Sequence, residues 1–226
     1  MDAPRRTQSE RRETADRRLL TAAYRLISEH EMSTLTCEEV GKLAGYSRGH
    51  SYQRFGSKEG MLVTVVERLC ASRRKYLERR ARVDASGIEK VLDFVDLHLG
   101  GVSNSLEMAA YFRVLAAPVL AMPKLNRAID AARAETFEDI SRVLRESRTG
   151  DRYESASESE GRVRIIYGLM TGMALQHAHI RREREFNLVR SDVQAFLRSA
   201  LSRNSDGLPQ QPAGRMDNNY HKYWTG

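Results

Sequence analysis

Three side chains in one short polar stretch, Arg48, His50 and Gln53, are suited to reading the bases of a nucleic acid. Each is long enough to reach a base edge; arginine suits guanine, and glutamine suits adenine. Ser47 and Gly49, which alternate with them, are small and would let the backbone come close to a DNA duplex. The chemistry that this stretch indicates is therefore hydrogen bonding to DNA, without a covalent step.

Two short helices joined by a tight turn are predicted to position these side chains. Thr36 followed by Glu39 is the pattern of a capping box, and it predicts a helix that ends at Gly45, a residue suited to a left-handed cap. Ser47 is the next N-cap and predicts a second helix of about two turns. The second helix of such a helix–turn–helix enters the major groove, and its N-terminus presents free N–H groups to phosphate.

The spacing of apolar residues predicts helices on both sides of this pair. Apolar positions recur every three or four residues over 9–30, and a long capped helix is predicted over 57–82. We expect Val40, Leu43 and Phe55 to lie in the core that these helices share. Further helices are predicted near residues 87–99, 104–118, 122–148, 160–182 and 189–203. Because no convincing strand pattern occurs, the expected fold class is all-α.

The excess positive charge lies in the first third of the chain. Residues 1–82 contain 18 lysines and arginines against 11 acidic residues, whereas residues 83–226 contain 19 of each. A basic module followed by a neutral one indicates a polyanionic partner for the first module. A merely solvated basic face would have the same composition.

The composition argues against several other classes of protein. No stretch approaches the roughly 20 apolar residues that span a bilayer, and the first residues lack the apolar run of a secretory signal. We therefore expect a cytoplasmic protein without a membrane partner. Cys37 and Cys70 have no CxxC partner, which argues against a disulfide framework or a zinc site. Since Glu-x-x-His, HExxH and glycine-rich phosphate loops are also missing, we predict neither enzymatic activity nor a cofactor.

Residues 15–65 resemble the DNA-binding domain of the TetR family of bacterial transcriptional regulators in residue type and in spacing. The matching positions are Thr36, Val40, Ala44, Gly45, Ser47, Tyr52, Phe55, Ser57, Lys58, Glu59 and Leu62. Three positions depart from the family pattern. Gly41 stands where alanine is usual, Ser51 where an apolar residue is usually buried, and Tyr46 where a smaller aliphatic residue is usual. These departures indicate either a looser DNA-binding domain or a compensation of Ser51 by Tyr46.

The resemblance implies roles for further residues of this domain. Tyr52 and Lys58 would contact phosphate, and Thr36 and Ser47 would do so while capping their helices. The resemblance also implies a two-fold dimer, which places two recognition helices in successive major grooves of a palindromic operator. An N-terminal arm with Arg5, Arg6, Arg11 and Arg12 could add contacts to the minor groove or to flanking phosphates, or could simply be solvated.

The second half of the chain is expected to form a dimer and to bind a ligand. The stretch over 163–180 carries one charge, Arg164, and should be buried against its own domain and against a twin subunit. The homodimer would form through the helices near 160–182 and 189–203. Candidates for lining a pocket, although each could equally be core, are Met108, Tyr111, Phe112, Leu115, Met122, Phe137, Met170 and Met173, with His177 for a polar group.

The chain is thus expected to divide into four parts. Residues 1–56 would hold the N-terminal arm and the helix–turn–helix DNA-binding domain, and residues 57–82 the linking helix. Residues 83–203 would form a helical effector-binding and dimerisation domain. Residues 204–226, rich in glycine, proline, asparagine and glutamine, are predicted to be a disordered tail, although the aromatic residues near its end could dock.

The expected function is that of a sequence-specific, DNA-binding transcriptional regulator, nucleoid-associated when bound to its operator. The form that we favour is a homodimeric repressor, released from a palindromic operator by a mainly apolar small-molecule effector. A transcriptional activator with the same DNA-binding domain, and a nonspecific DNA-organising helical protein, are the alternatives. Sequence-specific binding would separate the first two from the third.

Overall fold

The computed structural model describes residues 7–80, 88–117, 121–146, 156–180 and 183–202. The helices in these ranges are α1 (Gln8–Glu29), α2 (Cys37–Ala44), α3 (Arg48–Phe55), α4 (Lys58–Arg80), α5 (Ile88–Asn104), α6 (Leu106–Ala116), α7 (Pro123–Glu146), α8 (Ala156–Ile180) and α9 (Glu183–Ser202). Because the described residues contain no strand, the prediction of an all-α fold is confirmed. None of the helices in these ranges is both long and apolar enough to cross a membrane.

Three of the sequence predictions lie wholly or partly outside the described residues. Two of these are the boundary between residues 82 and 83 and the tail over 204–226. The third is the expected N-terminal arm, whose Arg5 and Arg6 also lie outside them. The division of the chain into four parts therefore stays a prediction.

The caps of α2 and α3 lie at the residues that the sequence indicates. The Thr36 side chain accepts a hydrogen bond from the Glu39 amide, and the Glu39 carboxylate accepts one from the Thr36 amide. Gly45 ends α2 with φ of 78°, and the Ser47 hydroxyl caps α3. Gly56, with φ of 72°, ends α3. Both glycines occupy the left-handed region that side chains disfavour, so they fix where each short helix stops.

The head, which we define as residues 7–56, buries one face of each of its helices. Its core includes Leu19, Ala23, Ile27, Leu35, Val40 and Phe55, and it continues into Met61, Leu62 and Val65 of α4. The prediction that Leu43 belongs to this core is wrong, because its side chain is 47% exposed. The face of α2 that packs inward is set by Cys37, Val40 and Gly41, and Leu43 lies off that stripe.

Gly41 and Ser51 meet where α2 crosses α3. A Cβ atom at position 41 would lie 2.8 Å from Ser51 Oγ and 3.2 Å from the carbonyl oxygen of Ser47. Ser51 is fully buried, and its hydroxyl donates to the carbonyl of Arg48 over 2.9 Å. The small residue at 41 therefore leaves room for the hydroxyl at 51. Gly41 thus accommodates Ser51, and the compensation of Ser51 by Tyr46 stays a prediction.

The body, which we define as α5 to α9, is a helical bundle to which α4 is attached. α4 packs against α7, α5 packs against α8 and α9, and α8 also packs against α6 and α7. The inward face of α8 carries Val163, Ile166, Met170 and Ala174, which recur every three or four residues. Ile165 on the same helix is exposed, so one chain does not bury this helix all round.

Side chains of α6 join the body to the head through hydrogen bonds. The carboxylate of Glu107 accepts a hydrogen bond from the Tyr24 hydroxyl of α1 over 3.1 Å and from the Ser72 hydroxyl of α4 over 3.3 Å. Burial and this carboxylate raise the pKa of Tyr24, so its hydroxyl stays protonated and donates. Arg113, also of α6, donates to the carbonyl of His30 over 3.0 Å. The helix that faces the body core thus also holds the head.

Candidate nucleic-acid interface and effector region

The side chains predicted to contact bases lie on the exposed side of α3. Its buried residues, Ser51 and Phe55, hold the helix against the head. The exposed residues of this helix include all of the candidates that it was predicted to carry: Arg48, Gly49, His50, Tyr52 and Gln53. The helix therefore turns one hydrogen-bonding side toward solvent, with its capped N-terminus at one end.

Arg48 is held by two neighbours. Its guanidinium carbon lies 5.4 Å from the centre of the Tyr52 ring, and its Nη1 lies 3.4 Å from Glu38 Oε2 of α2. Both charged side chains are exposed, so the ion pair contributes little to stability. The two contacts nevertheless place the guanidinium over α3 between an aromatic face and a carboxylate.

His50 is held by a ring from the turn before α3. The rings of Tyr46 and His50 stack with their centres 4.9 Å apart and an angle of 18° between their planes. Tyr46 is half-buried and packs against the core of the head, whereas His50 is exposed. Apart from the spacing of four residues, no local pattern indicates this contact.

The hydroxyl groups of Thr36 and Ser47 serve as caps. Thr36 Oγ1 lies 3.2 Å from the amide nitrogen of Glu39 and 3.0 Å from its carboxylate. Ser47 Oγ lies 3.4 Å from the amide nitrogen of His50, which is a weak hydrogen bond. Both residues are exposed, and their contacts with phosphate stay predictions.

Lys58 has partners within the head. Its ammonium group donates to the carbonyl of Met32 and, over 3.1 Å, to the carbonyl of Ser33, which both follow α1. The side chain is half-buried and ties the start of α4 to the turn between α1 and α2. This role was not foreseen from the sequence, and the predicted contact of Lys58 with phosphate stays a prediction.

One carboxylate that sequence reasoning missed braces the recognition helix. Asp16 of α1 pairs with Arg54 at the end of α3, and its second oxygen lies 2.8 Å from Nη2 of Arg68 in α4. The partners are 38 and 52 residues away from Asp16, so no local pattern could have revealed them. The three residues fix the orientation of α3 relative to two longer helices.

A basic groove runs beside the recognition helix. It is open, has a volume of about 1310 Å³, and lies among α1, α3 and the neighbouring part of α4. His50 and Gln53 line it from α3, and Arg11, Arg12 and Arg17 line it from α1. The positive charge of the head is therefore next to the candidate base-reading side chains, where attraction to phosphate would assist them.

The candidate effector-lining residues lie in the core of the body. Tyr111, Phe112, Met170 and His177 are buried, and Met108, Leu115, Met122, Phe137 and Met173 are half-buried. The rings of Tyr111 and Phe112 meet edge to face at 5.2 Å, and His177 Nε2 lies 3.0 Å from Ser103 Oγ. The first contact lies within α6 and the second joins α5 to α8, and the helices α5, α6 and α8 also pack against one another. The use of this region as a ligand site stays a prediction.

A buried arginine that the sequence did not single out lies where α4 meets α7. The side chain of Arg73 is 3% exposed. Its Nε lies 3.0 Å from Asp139 Oδ2, its Nη1 lies 2.8 Å from Thr136 Oγ1, and its Nη2 lies 3.4 Å from Glu135 Oε1. The linking helix is thus held to the body by a charged cluster.

His98 of α5 is fully enclosed near this cluster. Its Nδ1 lies 2.9 Å from the carbonyl oxygen of Phe94, and its ring packs against the Phe94 ring. Burial, followed by the nearby positive charge of Arg73, lowers the pKa of His98 to about 4. The imidazole is therefore neutral at pH 7, and its Nδ1 is the donor to the carbonyl.

Residues 19–65 match the family model of the bacterial regulatory proteins of the tetR family. No curated protein matches the chain in sequence.

Several solved structures have the fold of this chain. The fatty acid degradation regulator FadR from Bacillus halodurans is 15% identical, with a TM-score of 0.67, and the alignment covers 86% of this chain and 96% of that one. A TetR-like transcriptional regulator from Rhodococcus sp. RHA1 is 16% identical, with a TM-score of 0.64 and coverage of 90% and 100%. FadR from Bacillus subtilis, in complex with stearoyl-CoA, is 16% identical, with a TM-score of 0.61 and coverage of 85% and 99%. At these identities the likeness concerns the fold.

Proposed function

From the match of residues 19–65 to the model of the tetR family of bacterial regulatory proteins, we propose that this chain is a homodimeric, operator-specific repressor of that family. Each subunit places α3 in one major groove of a palindromic operator. A small, mainly apolar effector binds in the body and releases the protein from DNA. The alternative, a nonspecific DNA-binding protein, shares the basic head but reads no sequence.

The observation that carries the proposal is the exposed side of α3. Arg48, His50 and Gln53 lie together on a helix of eight residues that is capped at Ser47. Side chains of these types form specific hydrogen bonds with base edges in the major groove. The basic wall of α1 beside them supplies the sequence-independent attraction to phosphate that all DNA-binding proteins use.

Exposed apolar side chains on α8 and α9 support dimerisation. Ile165, Leu188 and Phe196 are more than half exposed in a single chain. Large apolar side chains that are grouped on two helices indicate a surface for a protein partner. A second copy of this chain covers them in the proposal, and its two-fold axis relates the two recognition helices.

The contacts of α6 support control by an effector. This helix carries Tyr111 and Phe112 toward the body core and Glu107 toward α1 and α4 of the DNA-binding side. A ligand that displaces α6 would therefore act on the head through hydrogen bonds that exist in the absence of the ligand. Binding shifts the population toward heads whose spacing no longer fits the operator.

The experiment is selection of bound sites from a random duplex library with the purified full-length chain. Salt at about 150 mM suppresses nonspecific binding to phosphate. We expect a palindromic motif with half-sites about one or more helical turns of DNA apart, because α3 occurs twice in a two-fold dimer. A library in which no sequence is enriched contradicts the proposal and favours the nonspecific binder.

Two substitutions in α3 then test how the motif is read. Gln53→Ala should relax specificity at one base position by about tenfold, since it removes a base contact. Tyr52→Phe should weaken binding to all sequences by about fivefold, because it removes one hydroxyl donor but keeps the ring beneath Arg48. Arg133→Gln, which replaces an exposed arginine of α7, is the matched control and should change neither the specificity nor the affinity. Unchanged binding by both α3 variants would contradict this docking.

A further inference from the structure

Tyr46 is an aromatic residue with a fixed backbone and a partly fixed ring. Its amide donates a hydrogen bond to the carbonyl of Gly41 over 2.9 Å. Its side chain is half-buried and packs against the core of the head. The ring therefore has a defined position that is set by the fold and not by any bound partner.

The exposed imidazole of His50 rests on that ring. The two rings lie nearly parallel, with centres 4.9 Å apart, in the range that aromatic rings favour for offset stacking. His50 is four residues after Tyr46 and lies in the first turn of α3. An exposed histidine without such a neighbour would sample several side-chain rotamers, whereas stacking selects those in which the ring lies over Tyr46.

The stacked rings of Tyr46 and His50 lie at the same groove as Gln53, a second base-reading candidate. Tyr46, His50 and Gln53 all line the open groove beside α3. Arg48, in contrast, is held on its own pair of neighbours, Tyr52 and Glu38. Arg48 and His50 thus each have a separate aromatic support.

We propose that Tyr46 is a specificity-determining residue of this surface, which holds the imidazole of His50 in one orientation so that it reads one base position in each half-site. The inference rests on the proposed function, because it assumes an operator. Ordering a side chain at an interface opposes binding, and an imidazole that is already ordered avoids most of that loss. Because orientation decides which hydrogen bonds form, the effect concerns one base position more than overall affinity.

The test is the same site selection with wild type and with three variants. His50→Ala identifies the base position that the imidazole reads. Tyr46→Leu keeps an apolar side chain of similar size but lacks an aromatic face, and it should lower the preference at that one position by about three- to tenfold. Tyr46→Phe keeps the face and should retain the wild-type motif. The double variant Tyr46→Leu with His50→Ala should have the motif of His50→Ala alone.

One further measurement and one further variant separate the positioning of His50 from the packing of Tyr46. Thermal unfolding of each variant reports the loss of packing, which would weaken all base positions alike. Tyr46→Met, whose flexible side chain fills the same space without an aromatic ring, replaces Tyr46→Leu if that variant does not fold. A selective change at the His50 position, with the other positions preserved, is the result that supports the proposal.

The outcomes distinguish this inference from the proposed function. A wild-type motif that Tyr46→Leu leaves unchanged, or weakens equally at every position, overturns the inference and leaves the operator-specific regulator standing. A motif that His50→Ala does not alter overturns the inference as well. A wild-type protein that enriches no motif overturns both.

Discussion

Arg54 of the head and Lys58 at the start of α4 are cations that already make hydrogen bonds inside the protein. Arg54 pairs with Asp16, and Lys58 donates to the two carbonyls that follow α1. Their charge still attracts DNA, but their hydrogen bonds stabilise the fold. We therefore expect fewer direct phosphate contacts than the positive charge of the head would indicate. Arg11 and Arg12 of α1, which line the groove beside α3, are further candidates for contacting phosphate.

His98 makes the stability of the body depend on pH. Its pKa is about 4 in the folded protein and near 6.5 when the chain is unfolded, so the unfolded state binds more protons between these values. Stability is therefore full above pH 6.5 and falls as the pH drops toward 4. Acidification from pH 7 to pH 5 should remove on the order of 2 kcal/mol of unfolding free energy through this residue.

The measurement for His98 is urea unfolding, followed by circular dichroism, at pH 7 and at pH 5. His98→Asn keeps a donor for the Phe94 carbonyl but cannot be protonated, so the difference between the two pH values should shrink by that amount. His30→Asn, which replaces an exposed histidine, is the control. An unchanged difference in His98→Asn would show that this histidine is not the acid-sensitive group.

At the scale of elements, the charged cluster around Arg73 fixes α4 against α7. Arg73→Ala leaves the buried Asp139 and the half-buried Glu135 without their central cation, so we expect a loss on the order of 3 kcal/mol of unfolding free energy. Arg142→Ala removes an exposed partner of the same Asp139 and should cost less than about 1 kcal/mol. Equilibrium unfolding of both variants checks this. Equal losses would mean that burial of Arg73 does not govern the joint.

The sequence predicted the elements well because most of their signals are local. Thr36 with Glu39, Gly45 and Ser47 mark helix ends within a few residues, and the structure has caps at those residues. The exposure of Leu43 was mispredicted, because an eight-residue helix is too short for apolar content alone to define its buried face.

The contacts that join elements could not be predicted in the same way. Arg54 and Arg68 meet Asp16, and Arg73 meets Asp139, across tens of residues. A charged residue at each of these positions fits a solvated surface equally well. The side chains of α3 could be predicted as candidates because they are long polar side chains in the second helix of a helix–turn–helix, both of which are local features. The supports for Arg48 and His50 became visible only with the geometry of the rings.

At the scale of the whole molecule, the exposed side chains of α8 and α9 predict how the subunits join. Phe196 is 59% exposed, and in the proposed dimer it is covered by the partner. Phe196→Glu would bury a charge there and should raise the dimer dissociation constant roughly 30-fold or more. Sedimentation equilibrium measures the change. Leu106→Glu, an exposed leucine on α6, is the control, and a dimer insensitive to Phe196→Glu would place the interface elsewhere.

The carboxylate of Glu107 has a practical meaning for anyone who wishes to exchange DNA-binding heads between regulators of this fold. One residue of the body is bonded to Tyr24 of the head and to Ser72 of the linking helix. A chimera whose junction lies between any two of these residues combines side chains from two parent proteins at this contact. In such a chimera the hydrogen bonds of Glu107 are kept only if both parent proteins carry matching side chains at these positions. A graft should therefore take Tyr24, Ser72 and Glu107 from the same parent protein.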